Sequence, residues 1–240
     1  MKHSDVQSDL RKNANPEKAA FYPRFFKSGP GEYGYGDKFI GVTVPLTRKT
    51  IKPYHRLPLD EVLKLLHSEW HEERLAALLI LVWQYAHGDD NERQAVYDTY
   101  LANTKYINNW DLVDSSAHRI VGPHLNDRPD RMKVLTRLAK SSSLWERRIA
   151  ILSTLHYIQN GRADEALEII DMLLHDSHDL IHKATGWMLR EIGKRVDREI
   201  LLDYLNRHAG EMPRTMLRYA IEHLSPEQKQ RYMKPKESAK

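Results

Sequence analysis

The sequence predicts an all-α protein, and three observations carry that prediction. From residue 58 onward, apolar side chains recur at helical spacing, and no segment alternates as a strand does. The separators between these segments are short and hold Gly, Pro, Asn, Asp or Ser. A similar four-residue stretch returns every 35 to 37 residues, beginning at residues 74, 111, 148 and 183. We therefore predict an α-solenoid of HEAT-like helical repeats that form a curved stack with a concave groove.

The N-terminal part predicts short helices around one irregular segment. Asn15 and Pro16 mark a helix start, because Asn caps a first turn and Pro is favoured at the first helical position. The segment 28–38 contains four glycines and a proline, which predicts a mobile Gly-rich loop. Residues 39–44 are expected to be an extended lead-in to a short helix that begins near residue 45.

The remaining chain predicts helices and little else. The predicted helical segments are 59–66, 74–85, 92–102, 108–121, 129–140, 144–159, 163–174, 179–193, 197–207, 213–222 and 226–232. We expect a single domain over residues 1–233 and a disordered tail over 234–240.

Composition excludes several classes of protein. The hydrophobic content of 41% and charged content of 29% are those of an ordinary globular domain. The absence of cysteine excludes disulfides, thiol nucleophiles and thiolate metal sites. No apolar run approaches the roughly 20 residues that cross a bilayer, and no hydrophobic signal segment follows Met1. A cytoplasmic location is expected.

Positive charge is concentrated in the second half of the chain. The first 117 residues hold 15 Lys and Arg against 16 Asp and Glu, and the remainder holds 22 against 17. A net charge of +5 after residue 117 fits a polyanionic partner, although many proteins that bind no nucleic acid are similar.

The repeat pattern singles out one acidic residue. In a helix, Trp110 and Asp114 lie one turn apart on the same face. A buried carboxylate is costly unless it is paired, so Asp114 either pairs with a neighbour such as His118 or is kept for a function. The equivalent positions of the other repeats hold small or apolar residues, namely Ala77, Ile151 and Gly186.

Three further clusters have both structural and functional interpretations. Arg148, three residues after Trp145, is either part of a structural ion pair or a binding cation. Gly186 before Trp187 costs about 1 kcal/mol relative to Ala within a helix, which suggests close packing or close approach of a ligand. Three histidines have spacing compatible with a metal, but no carboxylate signature accompanies them, and they are His175, His178 and His182.

Taken together, these segments resemble motifs of the AlkD-like DNA alkylation repair enzymes, the family of HEAT-like repeat alkylpurine DNA glycosylases. The segments are WDLVD at 110–114, LWERRIAIL at 144–152 and KATGWMLRE at 183–191. Residues 15–19 and 41–45 resemble that family's N-terminal motifs, and the resemblance runs from about residue 10 to about residue 232. It implies an all-α stack of HEAT-like repeats with a concave DNA-binding groove.

The resemblance also implies an activity and assigns residues to it. The family hydrolyses the N-glycosidic bond of N3- and N7-alkylated purines in duplex DNA without flipping the base into a pocket. Asp114 is implied to be the catalytic carboxylate. Trp110 and Trp187 are implied to contact the deoxyribose and backbone of the lesion, and Arg148 to bind a phosphate. No metal or cofactor is expected.

Other expectations concern partners. The partner is expected to be double-stranded DNA that contains alkylated purines, and the protein is expected to be a monomer. Its expected location is the cytoplasm of a bacterial-type cell, where it would act at the nucleoid. Arg190 and Lys194 belong to a basic group that either meets DNA phosphates or forms a solvated face. Asn109 stands where the family pattern has an aromatic residue, and the Gly-rich loop is longer than expected. The alternative function is a HEAT-repeat scaffold that binds DNA or protein without catalysis.

Overall fold

The protein is all-α, as the sequence predicts. The computed structural model describes residues 1–234, so the predicted tail lies almost entirely outside the described residues. Within that range the chain forms helices and turns, and its one isolated β-bridge pairs Lys38 with Trp70. No helix in the described range is long and apolar enough to cross a membrane. The helices are α1 (His3–Arg11), α2 (Pro16–Phe25), α3 (Val44–Thr50), α4 (Leu59–Leu66), α5 (His71–His87), α6 (Asp90–Ala102), α7 (Trp110–Leu125), α8 (Arg131–Ala139), α9 (Leu144–Ser153), α10 (Leu155–Gln159), α11 (Asp164–Leu173), α12 (Asp179–Arg195), α13 (Arg198–His208), α14 (Arg214–Ala220) and α15 (Pro226–Met233), with 3-10 turns at Lys52–Tyr54 and Thr104–Tyr106.

The structure differs from the predicted helices in a few places. Helix α1 was not predicted, and α7 continues to Leu125 instead of ending near residue 121. The segment predicted as one helix over 144–159 is divided between α9 and α10. At the break, the hydroxyls of Ser153 and Thr154 donate to the carbonyls of Ile149 and Ile151, and such bonds compete with regular helix pairing.

The chain divides into two compact units, and the second begins at Leu125. In the first unit, α4 and α6 pack on α5, and α1 packs on α3, α4 and α5. In the second unit, α12 packs against α9, α11, α13 and α14. Helices that follow one another along the chain therefore pack together, as a solenoid of helical repeats requires. The single domain expected over residues 1–233 stays a prediction.

The first turn of α5 is unusual because it is both charged and buried. His71, Glu72, Glu73 and Arg74 are each at most 3% exposed. The Glu72 carboxylate accepts hydrogen bonds from the backbone N–H groups of Ile40, Gly41 and Val42, at 2.7 to 3.2 Å. A carboxylate that satisfies three amides holds the chain between α2 and α3 firmly against α5.

The Gly-rich segment is tied to the rest of the first unit. The Gly34 N–H donates to the carbonyl of Lys27 at 2.9 Å, and a Cβ on Gly34 would lie 2.6 Å from the carbonyl oxygen of Phe26. Only glycine fits so close an approach of two backbones. At the end of the segment, Asp37 bonds to His71 and Arg74. Contacts to α2 and α5 therefore anchor a segment that its composition alone predicts to be mobile.

Candidate functional site

A cavity of about 390 Å³ opens in the first unit, and it is lined by both candidate residues of that unit. Trp110 is the first residue of α7, and Asp114 follows one turn later. Both side chains are half-buried, so each has a face that a ligand can reach. The helical spacing that predicts a shared face therefore brings an indole and a carboxylate to one cavity.

Aromatic rings form one wall of the cavity. The ring of Phe26 is stacked with Trp110 at 5.7 Å between centroids, and the ring of Phe25 meets Trp110 edge-on at 5.8 Å. Phe25 is 48% exposed, and α2 as a whole buries none of its residues. Faces of aromatic rings attract cations, so this wall suits a ligand with positive charge.

Two arginines that the sequence analysis did not select also line the cavity. Arg48 lies on α3, and Arg119 lies on α7. Burial and the neighbouring charge of Arg119 lower the pKa of Arg48. Like charges held close together repel each other until an anion lies between or beside them. No spacing signal marks either residue, because they meet only when α3 packs near α7.

Asn109 explains how Trp110 is placed. Its side chain is fully buried, accepts a hydrogen bond from the Trp110 N–H at 2.8 Å, and donates to the carbonyl of Phe26 at 3.3 Å. The amide thus holds the first residue of α7 and joins it to the end of α2. The residue that departs from the family pattern has a structural role at the edge of the cavity.

Behind the cavity lies a chain of buried ionic groups. The imidazole of His71 bonds to Asp37 through Nδ1 at 2.9 Å and to Asp111 through Nε2 at 2.8 Å. Arg74 donates to the other oxygen of Asp37 at 2.6 Å. Burial opposes protonation of His71, but the carboxylates of Asp111 and Asp37 outweigh it and raise its pKa to about 9. Asp111 itself lines the cavity.

In the second unit, Arg148 is buried and only 4% exposed. Its Nη1 donates to the backbone carbonyl of Leu180, which joins α9 to α12. In this position the guanidinium joins two helices, and only a small part of it is exposed to a ligand. The neighbouring Arg147 is also engaged, because its Nε donates to Asp176 at 2.6 Å. The phosphate-binding role of Arg148 stays a prediction.

Trp187 is half-buried on α12 and hydrogen-bonded along its own helix. Its indole Nε1 donates to Glu191 at 3.3 Å, and Arg195 donates to the same carboxylate. Burial would raise the pKa of Glu191, but the hydrogen bond and charge of Arg195, with the Trp187 bond and the charge of Lys194, together outweigh it and lower that pKa. The indole of Trp187 is therefore held in a fixed direction, and the side on which it remains accessible is available to a ligand.

Another cavity lies in the second unit and is lined by several basic side chains. It has a volume of about 360 Å³ and is lined by Arg190, Lys194, Arg198 and His223. Arg190 is ion-paired with Glu222, whereas Lys194 is exposed. The structure thus brings together Arg190 and Lys194, the two basic residues that the sequence analysis selected on α12.

The three histidines considered as metal ligands have other partners. The Nδ1 of His178 accepts a hydrogen bond from the N–H of Leu180 as a helix cap, and His182 bonds to the carbonyl of Asp176. His175 lies 3.9 Å from Glu211. Among the residues that the structure describes, no group of three His, Asp or Glu side chains is arranged to hold a metal ion.

Comparison with known proteins agrees with the fold and with the sequence motifs. A family model described as DNA alkylation repair enzyme matches residues 6–224. A solved structure described as a predicted DNA alkylation repair enzyme from Enterococcus faecalis is similar, with a TM-score of 0.68 and 17% sequence identity over 89% of this chain and 98% of that chain. At that identity the likeness concerns the fold. No curated protein matches the chain. The family match over nearly the whole chain shows that this protein belongs to the DNA alkylation repair enzyme family.

Proposed function

We propose that the protein is a monofunctional alkylpurine DNA glycosylase that hydrolyses the N-glycosidic bond of N3- and N7-alkylated purines in duplex DNA. One observation carries the proposal: Trp110 and Asp114 line the same open cavity, with Arg48 and Arg119 beside them. The family has a DNA repair role, and this cavity supplies the groups that cleavage of a cationic nucleoside needs.

The chemistry follows from the charge of the substrate. A purine alkylated at N3 or N7 is cationic, so it departs as a neutral base when the C1′–N9 bond breaks and takes the bonding electron pair. Positive charge then builds on the deoxyribose, as in glycoside hydrolysis. In the proposed mechanism, Asp114 stabilises that charge and orients the water that attacks C1′. The water loses a proton to the carboxylate or to solvent.

The remaining residues are assigned to binding. The faces of Trp110 and Phe25 stabilise the cationic sugar and base by about 0.5–2 kcal/mol each. Arg48 and Arg119 bind the phosphates that flank the lesion, because guanidinium groups form paired hydrogen bonds with phosphate. In the second unit, Trp187, Arg190 and Lys194 contact the DNA backbone. Cleavage without base flipping is part of the proposal because the family resemblance implies it.

The test is base release from a defined lesion. A duplex that carries one N7-methylguanine is incubated with the protein, and free base and alkali-labile abasic sites are measured. We expect release by the wild type and a loss of at least 100-fold in the single-turnover rate for Asp114→Asn. The matched control is Asp98→Asn, an exposed acid on α6, which should retain the wild-type rate.

The second candidate function is a DNA- or protein-binding scaffold without catalysis. The burial of Arg148 favours it, since only 4% of the side chain assigned to a phosphate is exposed. A wild-type protein that binds the lesion duplex but releases no base would establish this alternative. Equal activity of Asp114→Asn and wild type would remove Asp114 from the mechanism.

A further inference from the structure

The chain Asp37–His71–Asp111 lies directly behind the proposed site. His71 is 1% exposed, and Asp111, which lines the cavity, is 7% exposed. Each nitrogen of the imidazole bonds to one carboxylate, so His71 must carry both ring protons to satisfy the two acids. With Arg74 on Asp37, the buried group holds two negative and two positive charges.

Two routes connect the imidazole of His71 to the residues of the site. The first runs through the backbone, because Asp111 follows Trp110 and precedes Asp114 by three residues in the opening turns of α7. The second runs through aromatic packing. The imidazole lies 4.6 Å from the ring of Phe26, and that ring stacks on Trp110. A shift of His71 would therefore move Trp110 by both routes.

Stability alone does not account for this ionic chain. Buried ion pairs are often no more stabilising than apolar residues of similar volume, because desolvation offsets their attraction. One carboxylate oxygen of Asp111, Oδ1, is buried and has no hydrogen-bond partner among the described residues. An unpaired buried oxygen costs free energy, so Asp111 adds less to stability than a fully paired carboxylate would.

We propose that His71 is a positioning residue of the site: through Asp111 and Phe26, it fixes the first turn of α7 and the directions in which Trp110 and Asp114 face the cavity. The proposal rests on the proposed function. It gives the buried ionic chain a role that packing does not provide, since preorganised groups need supporting bonds that lock their side chains.

The first experiment uses His71→Gln, which keeps one donor nitrogen and replaces the second with an acceptor oxygen. We expect its single-turnover rate of base release to fall at least tenfold, while its Kd for a duplex with a tetrahydrofuran abasic analogue changes less than threefold. The control is Tyr204→Phe, which removes a hydrogen bond of a buried tyrosine in the second unit, from Tyr204 Oη to Asp171 Oδ1 at 2.9 Å. It should keep the wild-type rate within twofold, and an equal loss in both variants would overturn the proposal.

A double-mutant cycle then separates positioning from an independent effect. If His71 acts through Trp110 and Asp114, adding His71→Gln to the double variant Trp110→Phe/Asp114→Asn causes no further loss of rate. Losses that multiply would show that His71 acts without these two residues and would overturn the proposal. Asp111→Asn is the second variant, because it keeps the shape of the side chain, and it should show the same non-additivity if His71→Gln does not fold.

A readout that needs no activity distinguishes failure of this proposal from failure of the proposed function. In protein labelled with 5-fluorotryptophan, the fluorine resonance of Trp110 is assigned with Trp110→Phe. We expect His71→Gln and Asp111→Asn to shift that resonance and to leave that of Trp83, on α5, unchanged. A wild type that releases no base would end the glycosylase proposal alone, whereas an unshifted Trp110 resonance would end the positioning proposal.

Discussion

The backbone carbonyl of Met216 lies so close to Gly186 that a Cβ added to that glycine would stand 2.3 Å from its oxygen. The same Cβ would also lie 2.6 Å from the Cβ of Tyr219. Gly186 thus marks the close approach of α12 and α14, two of the most closely packed helices of the second unit. Of the two interpretations that the sequence allows for this glycine, the structure provides the packing one.

We expect Gly186→Ala to destabilise the protein by about 1–3 kcal/mol, although Ala is the better helix former. The Met216 carbonyl is backbone and cannot move aside without separating the two helices. Urea unfolding followed by circular dichroism measures the loss. Lys194→Ala, on the exposed face of the same helix, is the control and should stay within about 0.5 kcal/mol of wild type.

The free energy of unfolding should fall in alkaline solution because of His71. Its pKa rises from an ordinary value of 6.5 to about 9 in the folded protein, through Asp111 and Asp37 and against the effect of burial. The resulting stability is fully present below about pH 6.5 and is lost as the pH rises through about 9. Unfolding in urea at intervals between pH 6 and 10 measures it. His71→Gln should lose this alkaline dependence. If the free energy of unfolding changed with pH equally in the wild type and in that variant, the assignment would be contradicted.

Arg48→Ala should weaken binding to duplex DNA and reduce its salt dependence. Each phosphate contact contributes about 0.9 to the slope of log K against log salt, so removal of one should lower the slope by about that amount. Fluorescence anisotropy between 50 and 250 mM salt measures it. Arg137→Ala, a change in the last turn of α8, is a charge-matched control and should leave the slope unchanged. If Arg137→Ala lowered the slope and Arg48→Ala did not, the DNA contact would lie away from the cavity.

Arg148→Ala distinguishes the two roles considered for that arginine. Because the side chain is buried and donates to the Leu180 carbonyl, we expect a loss of about 1–3 kcal/mol in stability. If the family resemblance also holds for phosphate binding, the salt slope falls by about one contact. A stability loss with an unchanged slope would leave the structural role as the only one. Unfolding and anisotropy measured on the same preparation decide between them.

The helices and the two central residues of the site were predictable because their signals are local. Amphipathic spacing over one helix determines which face is buried, so the helical segments from 59 to 232 are found near their predicted positions. Trp110 and Asp114 lie within one turn, and such residues share a face wherever the helix packs. The helix start at Asn15 follows from side-chain chemistry in the same way, and its side chain accepts a hydrogen bond from the Lys18 N–H.

What surrounds these residues could not be predicted because it depends on long-range packing. Arg48 reaches the cavity from a different helix, and His71 meets Asp111 across 40 positions of the chain. The burial of Arg148 against Leu180 is likewise a property of two packed helices, and no local signal in the sequence marks it. The sequence by itself determined the helical class, the family motifs and the Trp110–Asp114 pair. Only the tertiary structure decided which charges are buried and which face the cavity, because solvation depends on all the groups that pack around a side chain.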